Sequence, residues 1–293
     1  MIDFVFKTEP YDHQREAFIA SAEKENFALL MDMGTGKTKV DIDSMGHCYE
    51  KGLIDFAIIV APKGVIRNWV PEITTHLPER IEREVVVWKP GLTKANRKEL
   101  MDLYEHSGKM KFLLMNIEAF STKKGVDVAE FFVKKFKVFM TVDESTTIKN
   151  RQAKRTKAVC SVGRGAVMRR ILTGSPVTKS PMDLFSQMGF LSPDILGFKS
   201  YYAFQGRYAV VQRRSMGARS FNQILGFQKL DELTETLDEH SFRVRKEDCL
   251  DLPDKVYMRR EVELTPEQTE AYVQMKHLAL ARLDSGDLAT TQN

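Results

Sequence analysis

The chain has 293 residues, 43% of them hydrophobic, which is apolar surface enough for one large domain or two smaller ones and excludes global disorder. Its longest apolar run, residues 56–61, is far short of the roughly 20 residues a membrane helix needs, so no membrane partner is expected. The net charge of +4 is unevenly spread: −2 over residues 1–144, +13 over 145–230 and −7 over 231–293, a basic middle suited to a polyanion.

In chain order, short apolar runs alternate with longer amphipathic ones over the first 190 residues. Strands are expected at 27–31, 56–61, 85–88, 112–116, 138–143 and 171–173. Helices are expected between them at 37–50, 65–76, 94–106, 128–135, 152–162 and 182–191, the last with Ser180 as N-cap and Pro181 at its first position. That alternation predicts an α/β fold, a parallel sheet between helices. After Leu191 the texture changes. Residues 198–207 are rich in aromatics, 208–227 read as a hairpin turning near Met216-Gly217, and 230–239 as a helix. Leu252-Pro253 breaks that pattern, 255–264 alternate like a strand, and Thr265-Pro266-Glu267-Gln268 fits a capping box opening a helix to about residue 283. The expected division is a lobe at 1–191, a largely helical appendage at 192–254 and a connector at 255–293. Cys48, Cys160 and Cys249 lack a CxxC pairing and the six histidines lack metal-ligand spacing, so reduced, buried thiols and no zinc site are expected. Nothing at the N-terminus resembles a secretory signal, so the expected location is cytoplasmic, or nuclear in a eukaryote.

The first expected strand runs into Met33-Gly34-Thr35-Gly36-Lys37-Thr38 and then a helix, the context of a phosphate-binding loop. Glycines let backbone N–H groups approach phosphates, and the helix start adds positive charge there. Lys37 would reach the β- and γ-phosphates and Thr38 would ligate Mg²⁺. Met31 stands where the strict pattern has glycine. About a hundred residues on, an apolar strand ends in Asp143-Glu144, at the strand end that opens onto the ligand crevice of such sheets. Asp143 would hold Mg²⁺ and Glu144 would orient and activate the attacking water. Together the two motifs point to a nucleoside triphosphate, with ATP and Mg²⁺ as the expected cofactors.

The ordered set of motifs resembles the first RecA-like lobe of superfamily-two helicases, in particular the Swi/Snf-like translocases, over nearly the whole chain. Glu9 to Gln14 resembles the segment whose glutamine, here Gln14, reads adenine. Met33–Thr38 resembles motif I. Val60-Ala61-Pro62-Lys63 through Asn68-Trp69 resembles motif Ia and Met115-Asn116-Ile117-Glu118 a further strand-contacting segment. Asp143-Glu144-Ser145-Thr146 with Ile148-Lys149-Asn150 resembles the DEAH box and its extension. Leu172-Thr173-Gly174-Ser175-Pro176 resembles motif III, which in the family couples nucleotide to track through positions matched here by Thr173 and Ser175. Asp183-Leu184-Phe185, Phe190 to Pro193 and 242–246 match the trailing protrusion and the lead into its linker. Two departures stand out: Thr146 replaces histidine and Ser175 replaces threonine, so the contact between motifs II and III is expected to be weaker or rewired.

The resemblance implies an ATP-dependent translocase on DNA, duplex favoured, contacted through Lys63, Asn116, Lys149, Asn150 and Arg151. It also implies a second RecA-like lobe, in cis or in trans, that supplies an arginine to the γ-phosphate. Residues 145–182 hold nine basic residues and no acid, and Arg207, Arg213, Arg214 and Arg219 lie among the aromatics of the appendage, a pattern suited to phosphate contacts. Those aromatics and Trp69 are expected to pack in cores. An RNA helicase, or a nucleotide-gated binding module without turnover of its own, are the alternative readings.

Overall fold

Seven parallel strands form the main sheet, in the order β3-β4-β2-β5-β6-β1-β9. They are β1 (Asn26–Met31), β2 (Phe56–Ala61), β3 (Arg83–Val87), β4 (Met110–Asn116), β5 (Val138–Asp143), β6 (Met168–Leu172) and β9 (Ser241–Val244). The structure is a computed structural model and describes residues 2–249 except 92, 106, 217 and 218, together with 258–270, 272, 273 and 276. By internal contacts the chain divides into two units, Met1–Asp251 and Leu252–Asn293.

Both faces of the sheet are covered, and the strands show it. In β2, Phe56, Ile58 and Val60 point into one core while Ala57, Ile59 and Ala61 point into the other. The continuous apolar runs follow from this, because a strand buried on both faces has no polar side to alternate. One core takes α4 (Lys94–Tyr104), α5 (Lys123–Lys135), α6 (Lys154–Gly163) and α7 (Leu184–Leu191). The other takes α1 (Asp12–Ser21), α2 (Lys37–Glu50) and α3 (Trp69–His76). All six expected strands and six expected helices form, with ends shifted by a few residues. Ser180 Oγ accepts from Met182 N (3.1 Å), as its capping position predicts, although the first turn, Pro181–Asp183, is a 3-10 turn.

Several elements, α1 and β9 among them, have no counterpart in the expected set. Helix α1 buries His13, Gln14 and Ser21 beside Ala17 and Phe18, so its inner face lacks an apolar period. Strand β9 is only four residues long and lies in the segment assigned to the appendage, yet it pairs with β1 from Ala28↔Ser241 to Met31↔Val244. The rest of that segment comprises α8 (Tyr201–Tyr208), the antiparallel hairpin β7 (Ala209–Met216) and β8 (Arg219–Phe227), α9 (Leu230–Asp238) and α10 (Lys246–Cys249). Phe204 and Tyr208 are buried among Phe185, Phe198 and Tyr201, whereas Tyr202 is exposed.

In the second unit, residues 266–270 are helical and the capping box is present: Gln268 N donates to Thr265 Oγ1 (3.3 Å) and Thr265 N to Gln268 Oε1 (3.1 Å). The strand expected over 255–264 does not form at 258–264, which are exposed and irregular. Alternation alone makes no strand without a ladder partner and a core to cover. Residues 255–257, and the helix expected beyond 276, lie outside the described residues.

Candidate active site

Strand β1 delivers the chain at Met31, which is fully buried and ends the strand in the core. Residues 32–36 then turn into α2. Gly34 and Gly36 both sit at φ +86°, where side chains are rarely accommodated. Gly36 is required by space as well, since a Cβ there would lie 2.2 Å from Gln14 Nε2. The loop is held from two sides. Thr35 Oγ1 donates to Asp32 O (2.8 Å), while Thr35 O accepts from His13 Nε2 (2.8 Å) and Gln14 Nε2 (3.0 Å). Gln14 Oε1 in turn accepts from Tyr11 N (3.1 Å), so the amide of Gln14 is engaged with the loop and with its own helix start. Met33 stands exposed on the loop. Helix α2 starts at Lys37 with no side-chain cap from Gly36. Its first N–H groups and the positive end of its dipole are therefore available to an anion.

Asp143 ends β5 and is buried. Its Oδ2 accepts from Trp69 Nε1 (3.0 Å) and its Oδ1 from Glu144 N (3.0 Å). Burial pushes the Asp143 carboxyl above its ordinary pKa, against the pull of the Trp69 hydrogen bond and of Lys37. Glu144 adopts left-handed backbone, φ 49° and ψ 61°, a conformation that costs a non-glycine residue about 1 kcal/mol or more. Its Oε1 lies 3.8 Å from Lys37 Nζ. The structure therefore brings Lys37 and the Asp143-Glu144 pair together across the intervening strand β6. Among the described residues no group of three acidic, His or Cys side chains is placed to hold a metal alone. Mg²⁺ takes one or two protein oxygens and completes its shell with water and phosphate. Thr38 and Asp143 fit such a donor set.

Thr173 and Ser175 follow β6. Thr173 N donates to Leu29 O (3.2 Å) and Thr173 Oγ1 accepts from Ser175 N (3.2 Å). A Cβ on Gly174 would lie 3.2 Å from Asp32 Cα, so this segment runs directly against the entry to the loop. The tie to the acidic segment passes through a residue not picked out in the sequence, Gln187 of α7. Ser145 Oγ donates to Gln187 Oε1 (2.6 Å), and Gln187 Nε2 donates to Pro176 O (2.7 Å) and Asp183 O (2.9 Å). A lone amide in the largely apolar helix Leu-Phe-Ser-Gln-Met-Gly-Phe-Leu was the available signal, because such a group is buried only when satisfied.

The candidate nucleic-acid residues lie at or after the carboxyl ends of strands. Lys63 and Asn116 share a groove of about 990 Å³ with Arg67, Trp88 and Lys89. Lys149 donates to the Thr178 hydroxyl, Asn150 Oδ1 accepts from Gln152 N (3.0 Å), and the Arg151 guanidinium lies 4.1 Å from the Tyr201 ring centre. Several expected cations are engaged within the protein. Arg207 is paired with Glu232 through two hydrogen bonds. Arg170 is fully buried in β6, where it donates to Ser21 O (2.5 Å) beside Asp41, whose carboxylate accepts from Thr141 Oγ1 (2.7 Å). Lys154 and Lys157 on α6 are exposed. All three cysteines are free; Cys48 is buried as expected, while Cys160 and Cys249 are only partly covered.

With this geometry in place, the SNF2-related domain matches residues 11–293. The chain belongs to the SNF2-related family. Its relatives include an uncharacterised ATP-dependent helicase of Mycoplasma genitalium, 25% identical over 97% of this chain and 25% of that protein. The chromatin-remodelling ATPase INO80 of Neurospora crassa is 26% identical over 86% of this chain and 12% of that protein. A probable ATP-dependent DNA helicase of Arabidopsis thaliana is 30% identical over 58% of this chain and 14% of that protein. The chain thus spans a quarter or less of these relatives, which by name are ATP-dependent helicases or an ATPase. The SWI2/SNF2 ATPase core of Sulfolobus solfataricus, solved with double-stranded DNA, superposes with a TM-score of 0.61 over 96% of this chain and 55% of its own, at 23% identity. That likeness establishes the RecA-like fold. No helix among the described residues is long and apolar enough to cross a membrane.

Proposed function

We propose that the chain is the ATP-binding lobe of a DNA-dependent motor ATPase. The observation that carries this reading is the uncapped start of α2, where Lys37 faces Glu144 across 3.8 Å beneath a loop of two left-handed glycines. An anion chain laid on that loop meets N–H groups, a helix dipole and an ammonium. Thr38 and Asp143 would hold Mg²⁺, which neutralises phosphate charge. Glu144, released from Lys37 by the incoming phosphates, would accept a proton from the water that attacks the γ-phosphorus as ADP leaves. Gln14 is assigned to the adenine edge; with its amide now on Thr35 O, nucleotide and loop would compete for the same group. Gly174 against Asp32, and Gln187 between Ser145 and Pro176, give a packed route from the loop to the segment of Thr173 and Ser175.

DNA as the track is supported by the exposed basic face of α6, by the groove of Lys63 and Asn116, and by the DNA-acting relatives. A second lobe, in cis or in trans, would supply the arginine that completes turnover. The test is steady-state ATP hydrolysis with no nucleic acid, duplex DNA, single-stranded DNA or RNA, beside a binding titration with labelled ATP. The expected result is ATP binding by this chain, with hydrolysis stimulated most by duplex DNA once a second lobe is present. Absence of ATP binding would overturn the reading; stimulation by RNA alone would replace the track.

A further inference from the structure

The return of the chain through β9 brings one more cation to the loop. Asp32 N donates to Val244 O (3.1 Å) and Lys246 N donates to Asp32 Oδ2 (3.0 Å), so the backbone of 244–246 is bonded to the first residue of the loop on both sides. From that anchorage the Lys246 side chain reaches back over Gly34: a Cβ on Gly34 would lie 3.6 Å from Lys246 Nζ and 3.8 Å from its Cε. Lys246 has no ion-pair partner among the described residues, whereas Lys37 has Glu144 and Arg245 has Glu247. A lysine held by its backbone on an anion-binding loop, with its ammonium over a glycine and no carboxylate in contact, is placed for a ligand's charge rather than the protein's.

We propose that Lys246 is a second phosphate-binding cation of this site, acting on the polyphosphate chain of the nucleotide from the side opposite α2. This rests on the nucleotide reading above and extends it, because residue 246 lies more than 200 positions from the loop and outside every motif read for nucleotide binding. Two ammonium groups on separate elements, Lys37 from α2 and Lys246 from the β9 edge, would hold the phosphates between them. A charge-assisted contact of this kind contributes about tenfold or more to affinity.

The experiment is a titration of the full chain with fluorescent ATP, ADP and AMP, comparing the wild type with Lys246→Ala, Lys246→Arg and Lys37→Ala. Circular dichroism and thermal melting confirm that each variant is folded. The expected result is a loss of about tenfold in ATP and ADP affinity for Lys246→Ala, no change for AMP, and substantial recovery in Lys246→Arg. Equal loss for all three nucleotides would overturn the proposal, since it would mark a general disturbance of the loop. Unchanged ATP affinity in Lys246→Ala, with wild-type binding intact and Lys37→Ala defective, would overturn this inference alone. No binding by the wild type would overturn the nucleotide site itself and this inference with it.

Discussion

The turn from β1 into α2 and the surface that follows β5 treat charge in opposite ways. At the first, Lys37, Glu144 and Asp143 converge from two strands, and their hydrogen bonds and backbone strain hold them facing one another. At the second, most of the charge is settled locally. Lys149 bonds Thr178, Arg151 stacks on Tyr201, and Arg169 bonds Asn26 Oδ1 (2.7 Å). The outward face of α6, with Lys154 and Lys157, remains broadly open. A catalytic cluster needs a few groups fixed to within a fraction of an ångström, while a surface that tracks a phosphate backbone needs charge in approximate places. The contrast teaches where single substitutions should act sharply and where they should act by degrees.

The sharpest break is expected at Glu144. Glu144→Gln should retain ATP while turnover falls by about 10²–10⁴-fold, as for loss of a general base, in a DNA-stimulated assay with the second lobe present. Wild-type turnover would remove Glu144 from the chemistry. Next, Lys37→Ala should weaken ATP binding by about 10- to 100-fold in a fluorescence titration. Asp41, on the buried face of α2, gives an effect on stability instead. Burial raises Asp41 to about 7, opposed by the Thr141 hydrogen bond and by Arg170. Folded protein therefore keeps a proton that the unfolded chain releases from pH about 4 upward. The Asp41 contribution to stability falls as pH rises from about 4 to about 7 and is level above that. Asp41→Asn should flatten this dependence in thermal melts at pH 5 and pH 8, and an unchanged difference between the two would discard the assignment. For the open surface, Lys154→Glu with Lys157→Glu should reduce the slope of log affinity for duplex DNA against log salt by about one for each lost phosphate contact. The smallest effect is expected at Arg207, where Arg207→Ala should leave DNA affinity unchanged because its guanidinium already serves Glu232.

Legibility followed the same divide. The loop and the Asp143-Glu144 pair could be read because local geometry demands those residue types in that order: left-handed glycines, a lysine at a helix start, acids at a strand end. Strands β1, β2, β4 and β5 were legible because burial on both faces leaves a nearly unbroken apolar run, and the half-buried edge strand β3 because of its three consecutive valines. Contacts between distant segments left no such trace. Gln187 linking Ser145 to Pro176, Trp69 bonded to Asp143, and His13 gripping Thr35 are single polar groups meeting across 11 to 74 positions. Counting charges also misled where charge was internal, since Arg170 is as basic in the sequence as Lys154 yet lies fully buried in β6. Strand β9 escaped because four residues, two of them polar or charged, carry too short a pattern.

That short strand has a consequence for solubility. Strand β1 is the apolar sequence Asn-Phe-Ala-Leu-Leu-Met, and pairing with β9 turns it from a sheet border into an interior strand. The border passes to a four-residue strand carrying Ser241 and the exposed Arg243, the kind of brief, charged edge that resists further pairing. A chain cut ahead of Ser241 would leave the backbone N–H and C=O groups from Ala28 to Met31 open along a flat hydrophobic strand, a ready template for intermolecular β-pairing. Such a chain would keep every residue of Lys37, Asp143 and Glu144 and would aggregate before their chemistry could be assayed.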